Sequence, residues 1–153
     1  MKYQSQKSSC GPAALSAALE AIGIERAESE MITLTGCSAD GTHDEDMVRA
    51  LRIVQQSEPA IAARPFQDNA DVAILRLLRA LDDGHPVIVA VCVDRPWDHY
   101  AVVVGRLGTG ATIRLNVFDA GTSESFRSMS MSEFMPWWRG PKTERKPYYG
   151  IIV

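Results

Sequence analysis

The stretch after Ser9 sets the strongest constraint on what this chain can fold into. Ala13, Ala14, Leu15, Ala17, Ala18, Leu19, Ala21 and Ile22 are good helix formers and leave the helix apolar nearly all round. A helix of that kind belongs in an interior, so the rest of the chain is expected to enclose it. Ser9 is a good N-cap, Pro12 is tolerated only in the first turn, and Gly23 is the expected C-terminal stop. That reading places Cys10 at the positive end of a buried helix. A thiolate there is favoured by the macrodipole and by unpaired backbone N–H groups, which is a recognised route to a nucleophile at neutral pH. The competing reading of Cys10 is the usual one for a free cysteine, an inert buried thiol.

The 153 residues suffice for a single domain with one sizeable core. A net charge of −3 argues against a general nucleic-acid binder, and the weak basic cluster of Arg139, Lys142, Arg145 and Lys146 is interrupted by Glu144 and prolines. Three widely spaced cysteines, Cys10, Cys37 and Cys92, are not a disulfide framework, and no Cys-x-x-Cys or His-x-x-x-His pair suggests zinc. No cofactor or metal is expected. The N-terminus lacks an apolar signal segment, and the longest apolar run, Val87 to Val93, is too short to span a bilayer. A reducing, cytoplasmic setting without membrane attachment is the expectation.

Helical patterning continues through Ala27 to Leu34. Thr42 and Glu45 fit a capping box that opens a helix through Met47, Val48, Ala50, Leu51 and Val54, with His43 in its first turn. Pro59 to Pro65 reads as a short extended piece or edge strand. A further helix with a broad apolar face runs from Val72 to Leu81, capped by Asp68, Asn69 or Asp71, and His85 is expected in the turn after it. The pattern then changes. Val87 to Val93 is a continuous apolar run, as in a strand covered on both faces. His99 to Gly105 is the next strand, Gly108-Thr109-Gly110 marks a hairpin, and Thr112 to Phe118 returns to Asp119. Ser132 to Trp138 is a short helix and Tyr148 to Val153 a terminal strand. The architecture is α+β, with helices first and then an antiparallel sheet packed on the first helix.

Chemistry follows from that topology. A cysteine nucleophile needs a base, and His99 opens a strand whose hairpin partner ends at Asp119. In an antiparallel pair the start of one strand lies beside the end of the other, which brings Asp119 to His99. An acid there fixes the histidine tautomer and stabilises the imidazolium. Asn116 and Asp98 are the alternatives, and both are expected on the wrong side of their strands. Acyl transfer also needs oxyanion donors. The backbone N–H of Cys10 is one, and the side-chain amide of Gln4 or Gln6 is the other.

Gln4, the run Cys10-Gly11-Pro12-Ala13-Ala14, the run His99-Tyr-Ala-Val-Val-Val-Gly and Asp119-Ala-Gly together resemble a papain-like cysteine peptidase. The resemblance is to the bacteriocin-processing family, the double-glycine leader peptidases that form family thirty-nine of the cysteine peptidases, and it covers nearly the whole chain. It implies a papain-like fold, a peptide or protein substrate, Cys10 as nucleophile, His99 as general base and acid, Asp119 as the orienting acid and Gln4 rather than Gln6 in the oxyanion hole. Two positions depart from the family pattern. Ser9 stands where an acidic residue usually precedes the cysteine, and Ala120 stands where proline usually follows the acid.

Three functions are compatible with these residues. The favoured one is hydrolysis of a peptide or isopeptide bond through a Cys10 thioester. An acyl transferase or deamidase would use the same site with a different acceptor, and a binding-only domain would hold a peptide without cutting it. Trp97, Trp137 and Trp138 are candidates to line a peptide groove, with Trp97 nearest the candidate site in sequence and at least one of the three expected in the core.

Overall fold

Helix α1 (Cys10–Ala21) lies against the middle of a six-stranded sheet, and the computed structural model describes residues 1, 4–91, 99–121, 126–139 and 147–153 around it. Leu15, Ala18 and Leu19 are completely buried. The helix stops where the glycine allows it: Gly23 has φ +81°, its N–H donates to the Glu20 carbonyl, and the Ile24 N–H donates to the Leu19 carbonyl. Two more helices, α2 (Glu28–Thr35) and α3 (Asp44–Gln55), cover α1 on the same face of the sheet.

Strands β1 (Arg64–Gln67), β2 (Val87–Val91), β3 (His99–Leu107), β4 (Arg114–Phe118), β5 (Phe126–Ser130) and β6 (Tyr149–Ile152) run in the order β1-β6-β2-β3-β4-β5, with every neighbouring pair antiparallel. Helices α4 (Ala70–Asp82) and α5 (Met131–Trp138) pack on the opposite face from α1. The strand residues divide by parity. Ile88, Tyr100, Val102 and Phe118 join the core under α1, whereas Val87, Val89, Ala101, Val103 and Val117 join the core under α4 and α5. Coverage on both faces is why β2 reads as an unbroken apolar run rather than an alternating one.

Several expectations shift. The capping box at Thr42 does not form. His43 is the N-cap of α3, and Thr42 Oγ1 is buried with no hydrogen-bond partner among the described residues. A Cβ on Gly11 would come within 3.0 Å of Thr42 Cβ, so Thr42 is committed to the α1 contact instead of to its own helix. Ser9 occupies the N-cap of α1, but its hydroxyl makes no capping bond. The edge strand expected at Pro59 to Pro65 is displaced to Arg64–Gln67, and β5 has no counterpart in the sequence reading. His85 sits in its turn and shares a 2.7 Å hydrogen bond with the Val153 carbonyl through Nδ1.

Candidate active site

The β3–β4 hairpin aligns Val102 with Phe118 and Val103 with Val117. Continuing that register past the strand ends places Gly121 opposite His99, and a Cβ on Gly121 would stand 2.7 Å from His99 Cε1. The missing side chain at Gly121 is what leaves room for the imidazole. Asp119 lies two residues back, almost fully buried at 1% exposure, with Oδ1 2.6 Å from His99 Nε2. Asn116 pairs with Gly105, well along the strand from His99. Asp98, Trp97 and Cys92 fall outside the described residues.

Asp119 is held on both oxygens. Besides His99, Oδ1 accepts the Gly121 N–H at 2.9 Å, and Oδ2 accepts Arg127 Nη2 at 2.9 Å. Burial pushes this carboxyl up, but His99, the Gly121 N–H and the Arg127 charge outweigh it and hold Asp119 below the usual carboxylate range. His99 is governed by the same balance with the opposite sign. Burial disfavours its charged form, yet hydrogen bonds and charge from Asp119 and Cys10 more than offset this, and the imidazole is raised to about 9. Nε2 is taken by Asp119, which leaves Nδ1 as the nitrogen for the Cys10 thiol.

Cys10 is the first residue of α1 and partly exposed. As the N1 residue its backbone N–H has no acceptor within the helix. Gly11 behind it allows the close approach of Thr42 and Met47, which seats the N-terminus of α3 against that of α1. The same end of α3 is tied to the sheet by the Tyr100 hydroxyl, which donates to the Asp44 carboxylate one residue after His99.

Gln4 reaches the site and Gln6 does not. The Gln4 backbone N–H donates to the Ala120 carbonyl at 3.2 Å, and its Oε1 lies 3.3 Å from where a Gly121 Cβ would stand. Gln6 is exposed and contributes its backbone. The Gln4 Nε2 donates to the carbonyls of Gln6 (2.8 Å) and Lys7 (3.0 Å), so offering a hydrogen to an oxyanion requires one of those bonds to be exchanged. The loop is fastened from α2. The Glu28 carboxylate accepts the Ser5 N–H at 2.9 and 3.0 Å and the Ser9 hydroxyl at 2.6 Å, with Ser9 completely buried. An acid from α2 therefore stands on the hydroxyl of the residue before Cys10.

The profile of the Peptidase_C39 like family matches residues 1–140. The chain belongs to the Peptidase_C39 like family. Its fold is similar to that of the peptidase domain of Streptococcus ComA, a bi-functional ABC transporter involved in a quorum-sensing pathway. That likeness has 22% identity, a TM-score of 0.71 and coverage of 98% of this chain and 93% of that one. The peptidase domain of Streptococcus mutans ComA matches at 21% identity and TM-score 0.65, covering 100% and 98% of the two chains. A double-glycine motif protease from an AMS/PCAT transporter, solved in complex with the leader peptide, matches at 16% identity and TM-score 0.60, covering 88% and 81%. No curated protein sequence matches the chain. The Peptidase_C39 like fold is therefore the papain-like α+β arrangement expected from the sequence.

Two members of this neighbourhood carry no sequence signal. Arg127 lies on β5, whose Phe-Arg-Ser-Met-Ser pattern lacks the apolar alternation of a strand, and Glu28 is an ordinary acid in the first turn of a helix. Of the tryptophans, Trp138 is fully buried against Phe66, Phe134 and Tyr148 and donates its Nε1–H to the Tyr149 carbonyl at 2.9 Å, so it is core. Trp137 is half-buried under Arg127. No helix among the described residues is long and apolar enough to cross a membrane.

Proposed function

We propose that this chain is a cysteine peptidase whose reacting groups are Cys10, His99 and Asp119. The observation that carries the reading is the 2.6 Å contact between His99 Nε2 and the buried Asp119, made by a ring whose charged form is also favoured by Cys10 at a helix N-terminus. A peptide substrate is supported by family membership and by the leader-peptide complex of the AMS/PCAT neighbour.

In the proposed reaction Cys10 Sγ, as thiolate, attacks the carbonyl carbon of the scissile bond. The oxyanion is met by the Cys10 backbone N–H and by Gln4 Nε2, which exchanges its bond to the Lys7 carbonyl for one to the oxyanion. The C–N bond breaks as imidazolium His99 gives its proton to the leaving amine. The acyl group is then a thioester on Cys10. Neutral His99 takes a proton from water, the resulting hydroxide equivalent attacks the thioester, and the C–S bond breaks to return the thiolate. Asp119 keeps the ring in the tautomer that presents Nδ1 to sulfur and stabilises the imidazolium in both halves.

The test is the pH dependence of Cys10 alkylation by iodoacetamide, read by mass spectrometry in wild type and His99→Ala. Cys10 is expected to react much faster than Cys37 or Cys92 at neutral pH, and His99→Ala to remove that advantage. If Cys10 reacts no faster than Cys37 or Cys92 and ignores His99, the nucleophile assignment fails. A peptide library with an added amine acceptor separates hydrolysis from acyl transfer.

A further inference from the structure

Asp119 is nearly inaccessible to water, and a buried carboxylate without a permanent partner carries a large desolvation penalty. His99 cannot be that permanent partner, because the proposed reaction leaves it neutral once it has protonated the leaving amine. Arg127 can. Val117 and Arg127 are paired across β4 and β5, and Asp119 follows Val117 by two residues, so the same side of the ribbon carries both charges. Arg127 Nη2 donates to Oδ2 at 2.9 Å, the oxygen that His99 does not use. The guanidinium carbon lies 5.6 Å from the ring centre of Trp137, which makes a T-shaped contact with Phe134 of the buried core. The cation is thus clamped between α5 and the triad acid.

We propose that Arg127 is a positioning residue of this site, which holds the second oxygen of Asp119 and keeps that carboxylate ionised while His99 is neutral. This rests on the Cys10–His99–Asp119 reading. Among the described residues, the charged or titratable groups facing Asp119 are His99 from β3 and Arg127 from β5, and those facing His99 are Asp119 and Cys10 from α1. Arg127 is the one whose charge never changes during the reaction.

The role separates from simple packing by the direction in which His99 moves. Taking away a fixed cation makes the Asp119–His99 pair hold its proton more tightly, so the imidazole titrates at higher pH. Loosening Asp119 does the reverse, because His99 then loses its acceptor and returns toward its ordinary value. The whole chain contains three histidines, so the His99 imidazole is followed by NMR titration after assignment with His99→Gln. Arg127→Met is expected to raise the His99 midpoint by about half a unit to one unit, with the smaller end favoured because the side chain is 34% exposed. Arg127→Lys is expected to restore most of the wild-type value. The second readout is hydrolysis of acetyl-Cys10 formed from p-nitrophenyl acetate, followed by mass spectrometry. Arg127→Met is expected to slow that step about three- to tenfold at neutral pH, because a midpoint raised by half a unit to one unit leaves that much less neutral His99 to act as base. An unchanged His99 midpoint with unchanged deacetylation overturns the proposal, as does a midpoint that falls. Failure of the underlying reading looks different: the wild-type His99 midpoint is then ordinary and acetyl-Cys10 is hydrolysed equally fast in His99→Gln.

Discussion

Gly121→Ala tests how closely the His99–Asp119 contact depends on one absent side chain. The φ of Gly121 lies outside the left-handed region and the residue is exposed, so alanine is acceptable to the backbone. The added methyl would stand 2.7 Å from His99 Cε1, 3.2 Å from His99 Nε2 and 3.3 Å from Gln4 Oε1. Ordinary contact begins at about 3.5 Å, so the ring must retreat by roughly 1 Å. The ring can do so, because it is the end of a side chain rather than backbone, and the steric part of the change in stability is expected to stay within about 0.5 kcal/mol. The site does not tolerate it equally. A retreat of that size stretches a 2.6 Å hydrogen bond past useful length, and a misplacement of about 1 Å lowers a positioned reaction on the order of 100-fold. Two assays follow: turnover of the acetyl-Cys10 thioester and the NMR titration of His99. We expect turnover to fall about 100-fold and the His99 midpoint to drop from about 9 toward 6.5, with a melting curve unchanged above that range and a loss of at most about 3 kcal/mol at lower pH, where the wild-type ring is charged. A variant that melts normally, titrates near the wild-type value and loses less than a few-fold in turnover would refute the argument that this contact sets the chemistry.

The raised His99 value also makes stability depend on pH. Its contribution is complete below the ordinary value of 6.5 and is lost as pH rises through about 9. Denaturant titrations of wild type and His99→Gln should therefore converge between pH 7 and 10, with at most about 3 kcal/mol of difference to lose. A gap that widens in that window contradicts the sign. The depressed Asp119 carboxyl acts at the other end, where its contribution is present above 3.8 and lost as pH falls through its lower folded value. Glu28→Ala removes the acceptor of the Ser5 N–H and leaves the buried Ser9 hydroxyl only the Gln6 carbonyl at 3.0 Å, and is expected to destabilise the fold by about 1–2 kcal/mol. Glu28→Gln keeps one acceptor oxygen and should lose less. Equal losses in the two variants, measured by urea unfolding, would show that the charge rather than the geometry matters.

Family membership could be read from a few short runs, but the acidic position before the cysteine shows what such runs leave out. Ser9 looks like a departure in the sequence, and in three dimensions Glu28 of α2 stands on its hydroxyl. No periodicity or motif connects residues 9 and 28, because the link is a tertiary contact between the first turns of two helices. Arg127 is hidden for a related reason. Its strand lies at the edge of the sheet and none of its five residues is fully buried, so neither face has to be apolar. The strand Tyr149–Ile152 was legible as a strand, but not its place between β1 and β2, since pairing between segments this distant leaves no local mark.

The sequence by itself determined α1, its stop at Gly23, the place of Cys10 at its start and the hairpin that brings Asp119 to His99. These are short-range consequences of helix propensity, glycine φ and antiparallel geometry, and each is written in neighbouring residues. Spacing left Gln4 and Gln6 open and the resemblance favoured Gln4, whereas only the tertiary structure decided that Glu28 fastens the loop before the nucleophile and that Arg127 takes the second oxygen of Asp119. Those contacts join residues from separate elements whose approach is set by how two cores close on opposite faces of one sheet, and that packing is a property of the whole chain.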